Sequence, residues 1–210
     1  MEYIALKFDI VGSRKLLQRE SVQRTFLAAA DEINERFGSG LAAEFIVTHG
    51  DEAQALLRTS HADFAFAIFE HLFFAIRAVE FRCGIGLGTL STSLREKAIG
   101  MDGTAWQNAE AAIQCAKKKR QAIYFKGFAP HLETQLNALG NLLCFVRSRW
   151  TKEQIEVIRL LTKFSTQKEI AVNLGISEAA VSKRLTSAGW QYYYQGRRAL
   201  DILLQVNTNA

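Results

Sequence analysis

Residues 8–14, Phe8-Asp9-Ile10-Val11-Gly12-Ser13-Arg14, end the first apolar run of the chain. The run extends from Tyr3 to Ile10, is rich in strand-forming residues and stops at Gly12. This composition predicts a buried β-strand with Asp9 near its end. The turn that follows can direct its backbone N–H groups toward phosphates at the start of the next helix.

A second acidic motif lies between two apolar runs, at residues 48–54: Thr48-His49-Gly50-Asp51-Glu52-Ala53-Gln54. Residues 41–48 and 53–57 are predicted to be strands, so this motif forms the turn of a hairpin. Asp51 therefore follows the second strand of the chain.

The spacing of apolar residues predicts the other N-terminal elements. Steps of three and four residues predict helices, and short apolar runs beside turn residues predict strands. The predicted helices are residues 20–37, 62–79, 103–120 and 131–146, and the further strands are residues 81–91 and 122–125. The order β-α-β-β-α-β, followed by α-β, matches the ferredoxin-like pattern.

We therefore predict an α+β fold. It contains a ferredoxin-like, palm-type antiparallel sheet with helices on one face, followed by a small all-α helix-turn-helix domain. Right-handed crossovers make the first two strands parallel, so their C-terminal ends lie at the same edge of the sheet. Asp9 and Asp51 are thus expected to lie together.

This pair of carboxylates predicts a site for Mg²⁺ or Mn²⁺, which prefer hard oxygen ligands. Asp9 and Asp51 are the proposed metal ligands, and Glu52 is a possible third. The metals would bridge the phosphate oxygens of a nucleotide. The residues expected to bind this nucleotide are Ile10, Gly12, Ser13 and Arg14. Each motif taken alone is also ordinary turn chemistry, so a purely structural role is the alternative.

Gly84, Gly86 and Gly88 occupy alternate positions of the predicted fourth strand. Alternate glycines leave one face of a strand bare, which permits close approach of a helix, a ligand or a second subunit. Their spacing differs from that of a dinucleotide-binding motif, and packing is the favoured interpretation.

Four motifs occur together in an order that resembles the SatD family of bacterial proteins. They are residues 9–14, 50–54, 82–86 and 102–105. The order is also similar to class III nucleotidyl cyclases, with GGDEF-type cyclases as more distant relatives of the same palm-like fold. The resemblance covers roughly residues 1–125.

The resemblance implies that Asp9 and Asp51 bind the metals and that Asn108 orients the ribose. Two positions depart from it. Cyclases place an Arg where this chain has Ala112, and the SatD-like pattern often has an Arg where this chain has Glu110. Loss of a cation facing a developing phosphate charge is costly to catalysis. The basic run at residues 117–120 either compensates or is a solvated helix end, and the second interpretation is favoured.

Residues 167–186 have the spacing of a helix-turn-helix and resemble region four of sigma factors. Ala171 is the small residue where two helices cross, Gly175 forms the turn and Ser177 caps the second helix. The expected DNA contacts, with base edges or phosphates, are Ser177, Ser182, Lys183, Arg184, Arg197 and Arg198. A helical hairpin used for dimerisation is the alternative.

Composition and charge limit the classes of function. The net charge of +5 and the pI of about 9.2 only weakly favour a polyanionic partner. The sequence has no stretch of eighteen apolar residues and no signal-peptide pattern, and its three widely spaced cysteines predict reduced thiols in a cytoplasmic protein. No membrane association is expected.

The predicted domains are a cyclase-like domain at residues 1–128, a connecting helix at 129–150 and a DNA-binding domain at 151–210. We expect a bacterial regulator that binds a metal-nucleotide and DNA, acting as a homodimer. A nucleotidyl cyclase or nucleotidyltransferase is the first alternative. A protein-interaction module with two degenerate sites is the second.

Overall fold

The computed structural model of the protein describes residues 1–13, 19–48 and 50–208. Arg14, one of the predicted nucleotide contacts, lies outside the described residues, as does His49. The strands are β1 (Glu2–Ile10), β2 (Leu41–Val47), β3 (Glu52–Arg58), β4 (Phe81–Thr89) and β5 (Ile123–Lys126). The helices are α1 (Arg19–Phe37), α2 (Phe64–Ala75), α3 (Thr104–Lys119), α4 (Pro130–Ser148), α5 (Lys152–Leu160), α6 (Gln167–Leu174), α7 (Glu178–Ser187) and α8 (Trp190–Thr208).

The five strands form one sheet in the order β2-β3-β1-β4-β5. β1 pairs antiparallel with both β3 and β4, and β3 pairs antiparallel with β2. β1 and β2 therefore run in the same direction, as the split β-α-β pattern predicts. The α+β class is confirmed, although the sheet is mixed rather than antiparallel because β5 runs parallel to β4.

Helices cover both faces of the sheet, whereas the sequence predicted helices on one face. On one face, Phe26 of α1 packs against Phe81 of β4, with ring centroids 5.2 Å apart. On the opposite face, α3 lies directly over the glycines of β4. A Cβ atom added to Gly84 would lie 2.3 Å from the Ala109 carbonyl oxygen. The absence of side chains at the alternate glycines lets α3 pack there, which confirms the packing interpretation of these residues.

The chain divides into two compact units. The first consists of residues 1–141 and 200–210, and the second of residues 142–199. In the second unit, Thr151 and Gln154 cap each other's backbone and form a capping box at the start of α5. Gly175, in the left-handed conformation at φ +63°, ends α6, and the Ser177 side chain caps α7.

The last helix, α8, extends without a break from Trp190 to Thr208. The buried residues Tyr193, Leu200 and Leu204 follow helical spacing, so the aromatic residues at 190–194 and the apolar residues after 199 belong to one helix. Tyr193 packs edge-on against Trp150, with ring centroids 4.7 Å apart, so it is a core residue. Tyr192, by contrast, is exposed.

Within the described ranges, none of the helices has both the length and the apolar character needed to cross a bilayer.

Candidate functional site

The two acidic motifs meet at the edge of the sheet formed by the C-terminal end of β1 and the N-terminal end of β3. The backbone N–H of Ile10, at the end of β1, donates a hydrogen bond to the carbonyl oxygen of Asp51 at 2.9 Å. Asp9 lies opposite Glu52 of β3 and opposite Arg82 of β4 in the strand register. Directly opposite residues of antiparallel strands share a face, so Asp9, Glu52 and Arg82 lie on the same side of the sheet.

Asp51 is held by the turn that follows β1. The hydroxyl of Ser13 donates a hydrogen bond to Asp51 Oδ2 at 2.6 Å. Gly12 and Gly50 have φ of +70° and +72°, and a Cβ atom built on either would find no atom of the described residues within 4 Å. Both turns therefore need glycine for their conformation.

Asp9 is paired with two cations. Lys117 Nζ, from the last turn of α3, lies 3.2 Å from Asp9 Oδ2, and Arg82 Nη1 lies 4.0 Å from the same oxygen. The side chain of Asp9 is only 15% exposed, so its charge is compensated mainly by these groups rather than by water. Lys117 thus differs from the solvated helix end that its sequence context favoured, while Lys118 and Arg120 are exposed.

A second ion pair lies beside the first along β1 and α3. Lys7 Nζ contacts Glu110 Oε2, and Gln114 Nε2 donates to Glu110 Oε1 at 2.8 Å. The hydrogen bond from Gln114 and the contact with Lys7 lower the pKa of Glu110. Glu110 therefore carries a negative charge that Lys7 neutralises.

Lys117 and Arg82 contact Asp9 in the candidate site, and the sequence analysis did not predict them. A signal was present. Lys7 and Asp9 point to the same face of β1, and their charges are opposite to those of Glu110 and Lys117, which lie about two turns apart on α3. This complementary pattern of charges can be recognised once α3 is known to pack on that face of the sheet.

Asn108 is not brought together with Asp9 and Asp51. Its side-chain nitrogen donates to the Leu87 carbonyl oxygen at 2.8 Å. Leu87 pairs with Ile4, which lies five residues before Asp9 on β1, or about 16 Å at the rise of an extended strand. Ala112, at the position of the cyclase Arg, is fully buried.

The donor set fits a metal ion that arrives with a nucleotide better than one held by the protein alone. Among the residues that the structure describes, no three His, Cys, Asp or Glu side chains form a group suited to a metal ion. Mg²⁺ is commonly held by one or two carboxylates together with substrate phosphates. Asp51 can supply such a carboxylate, whereas Asp9 is already paired with cations. Glu52 is exposed.

The residues predicted to contact DNA lie in α7 and α8, apart from Ser177, which precedes α7 as its N-cap. Ser182 and Lys183 are exposed on α7. Arg184 Nη1 lies 3.9 Å from Glu156 Oε2 of α5, so Arg184 already forms an ion pair within the second unit. The Ser177 hydroxyl accepts a hydrogen bond from the Ala180 N–H at 3.2 Å, which orients the start of α7.

The two arginines of α8 differ in exposure. Arg198 is exposed, whereas the Nε and Nη1 atoms of Arg197 are buried. Arg198 is therefore the more accessible of the two to a phosphate.

Solved structures of two cyclases are similar to this chain. A bacterial light-regulated adenylyl cyclase is similar to the chain with 18% identity and a TM-score of 0.44, over 71% of this chain and 81% of that one. The catalytic core of a rhodopsin-guanylyl cyclase with converted specificity, in complex with ATPαS, is similar with 16% identity and a TM-score of 0.35, over 52% and 70%. Among curated proteins, no sequence matches it. The model of the SatD family matches residues 3–204, and the chain therefore belongs to the SatD family.

Proposed function

We propose that the first unit binds a nucleoside triphosphate together with Mg²⁺ or Mn²⁺ at the sheet edge formed by Asp9 and Asp51. The observation that carries this proposal is the hydrogen bond between Ile10 N and the Asp51 carbonyl oxygen. It joins the two acidic motifs, so that two carboxylates, a hydroxyl and two cations occur at one edge of the sheet.

Each of these residues has a role in the proposal. Asp51 would hold the divalent ion, which offsets the charge of the phosphates. Ser13 and the backbone N–H groups around Gly12 would donate to phosphate oxygens. Lys117 and Arg82, positioned by Asp9, would add positive charge beside the phosphates.

A thermal-unfolding series tests this proposal. Nucleoside triphosphates with Mg²⁺ or Mn²⁺ are added to the wild type, to Asp51→Asn and to a control, Asp31→Asn, whose side chain is exposed on α1. At a hundredfold excess over Kd we expect a stabilisation of about 2.7 kcal/mol, which raises Tm by a few degrees. The shift should require the metal, persist in Asp31→Asn and disappear in Asp51→Asn. No shift with any nucleotide would refute the site.

The geometry favours binding over turnover. The Asn108 amide donates to β4, and the buried Ala112 leaves no cation at the position where cyclases have one. We therefore expect no pyrophosphate release from the bound triphosphate. Release that is lost in Asp51→Asn would instead support the nucleotidyl cyclase or nucleotidyltransferase alternative.

We further propose that the second unit binds DNA through α6 and α7, as part of a homodimeric regulator. The observation that favours this is the exposure of Ser182 and Lys183 on α7, a helix capped by Ser177 and preceded by the Gly175 turn. From Thr151 onward the chain has eight Lys or Arg against five Asp or Glu, so phosphate contacts alone would bind weakly.

Selection of a bound site from random duplex DNA tests this second proposal. Once a site is selected, Lys183→Glu should weaken its binding, and Lys163→Glu, an exposed lysine between α5 and α6, should weaken it less. Equal effects of the two substitutions would show non-specific charge attraction only. Binding of neither DNA nor nucleotide would favour the protein-interaction alternative.

A further inference from the structure

We propose that the Lys117 ammonium takes the place of one metal ion at Asp9, so that the protein binds a nucleoside triphosphate with a single divalent cation, at Asp51. This inference rests on the proposed nucleotide site. It specifies the form of the ligand: a triphosphate carrying one metal ion, with the second positive charge supplied by the protein.

The position of Lys117 is fixed by packing rather than by a flexible chain end. α3 approaches β4 so closely that a Cβ atom on Gly84 would lie 2.5 Å from the backbone nitrogen of Ile113, one turn before Lys117. The ammonium thereby lies 3.2 Å from Asp9 Oδ2. A cation at this distance neutralises the carboxylate as a bound metal ion would.

A divalent ion at Asp9 would face strong repulsion. It would lie beside the Lys117 ammonium and beside Arg82, whose Nη1 is 4.0 Å from the same carboxylate oxygen. Like charges a few ångströms apart repel strongly when they are partly shielded from water, and Asp9 is 15% exposed. A metal ion could enter only by displacing the ammonium. Within residues 1–13, 19–48 and 50–208, no cation forms an ion pair with Asp51, whose side chain accepts from the uncharged Ser13 hydroxyl.

Lys117 also remains accessible to a ligand. Its side chain is 36% exposed, and an ammonium group has three N–H donors, of which the contact with Asp9 needs one. The other donors can bind oxygens of a phosphate chain. The same group can therefore neutralise Asp9 and contact the triphosphate.

The test is a titration of Mn²⁺ into the protein with saturating non-hydrolysable nucleoside triphosphate, in which bound Mn²⁺ is counted by electron paramagnetic resonance. The wild type should bind one Mn²⁺ per bound nucleotide. Lys117→Met should bind a second and should bind the nucleotide about tenfold more weakly at limiting Mn²⁺, as expected for the loss of one charge-assisted hydrogen bond. Lys117→Arg, which keeps the charge, should bind one.

Lys118→Met is the matched control, because it removes the neighbouring exposed charge of α3 without touching Asp9. It should behave as the wild type does. Two Mn²⁺ ions per nucleotide in the wild type would overturn the inference and leave the proposed function standing. A single Mn²⁺ in Lys117→Met would also overturn it. Failure of the wild type to bind any nucleotide would remove the proposed function and the inference together.

Discussion

Gly86 shows how a single residue determines the position of a helix at the site. A Cβ atom at this position would lie 2.1 Å from the backbone nitrogen of Ala109 and 2.4 Å from the carbonyl oxygen of Ala105. These are backbone atoms of α3, which cannot rotate away as a side chain would. The close packing of α3 against β4 therefore depends on the absence of a side chain at Gly86. The contact of Lys117 with Asp9 depends on the same packing.

Gly86→Ala should destabilise the first unit by about 1–3 kcal/mol, the usual cost of forcing an extra carbon into a packed core. The reason is that α3 must move away from β4 or distort. Chemical denaturation of the purified variant measures the change.

Ala111→Leu is the control for this substitution, because it adds a larger side chain on the exposed face of the same helix. A surface change of this kind usually alters stability by less than about 0.5 kcal/mol. If Gly86→Ala had the same free energy of unfolding as Ala111→Leu, the contact between α3 and β4 would have room for an extra carbon.

At the scale of single elements, the outer strand β5 is protected by side chains of α4. Asn137 accepts a hydrogen bond from the Phe125 N–H at 2.9 Å and donates to the Phe125 carbonyl oxygen at 3.0 Å. Asn141 donates to the Ile123 carbonyl oxygen at 2.9 Å. These asparagines occupy backbone groups that would otherwise be open to another strand, which limits edge-to-edge association.

Asn137→Ala should lower stability by about 1–3 kcal/mol, because two backbone groups of a part-buried strand lose their partner. It should also promote self-association through the exposed edge. Urea denaturation and size-exclusion chromatography measure the two effects. Gln135→Ala, an exposed neighbour on α4, should change neither. An unchanged stability of Asn137→Ala would mean that water replaces the amide at no cost.

The contact between α1 and α2 should make stability depend on pH. His71 Nε2 of α2 lies 3.0 Å from Glu32 Oε2 of α1. Burial lowers the pKa of His71 from its ordinary value of 6.5, Glu32 opposes this shift and Arg36 adds to it. The unfolded chain then binds a proton more readily than the folded protein does.

The stabilisation from neutral His71 is therefore complete above pH 6.5 and is lost as the pH falls from there toward the folded pKa. His71→Gln removes the titrating group, so its free energy of unfolding should fall less over this range than that of the wild type. His131→Gln, at an exposed position in the first turn of α4, should follow the wild type. Denaturation curves between pH 5 and 8 would contradict the prediction if His71→Gln and the wild type showed the same slope.

The sequence predicts some elements of the fold and of the candidate site better than others. The apolar period of residues 3–10 and the hairpin around Asp51 predicted β1, β2 and β3 and the shared edge of the two acidic motifs. The face chosen by α3 was predicted wrongly, because helical spacing shows that a helix has an apolar side but not which face of the sheet it covers. The pair formed by Asp9 and Lys117 depends on that face and on the rotation of α3, which local patterns do not specify.

At the scale of the whole molecule, the proposed regulator requires that its two sites be coupled. The candidate nucleotide site lies in the first unit, residues 1–141 and 200–210, and α7 lies in the second, residues 142–199. From the proposed function we predict that binding at the sheet edge changes binding at α7.

The coupling is measured by titrating a labelled selected DNA site, by fluorescence anisotropy, with and without a saturating metal-nucleotide. We expect the Kd for DNA to change about 5–150-fold, the usual range of coupling between two sites. Linkage requires that DNA change the Kd for nucleotide by the same factor, so the reverse titration must return an equal value. In Asp51→Asn the Kd for DNA should equal that of the nucleotide-free wild type and should not respond to nucleotide. If nucleotide and DNA both bind but neither changes the other's Kd, the two units act independently, and the regulatory part of the proposed function is wrong.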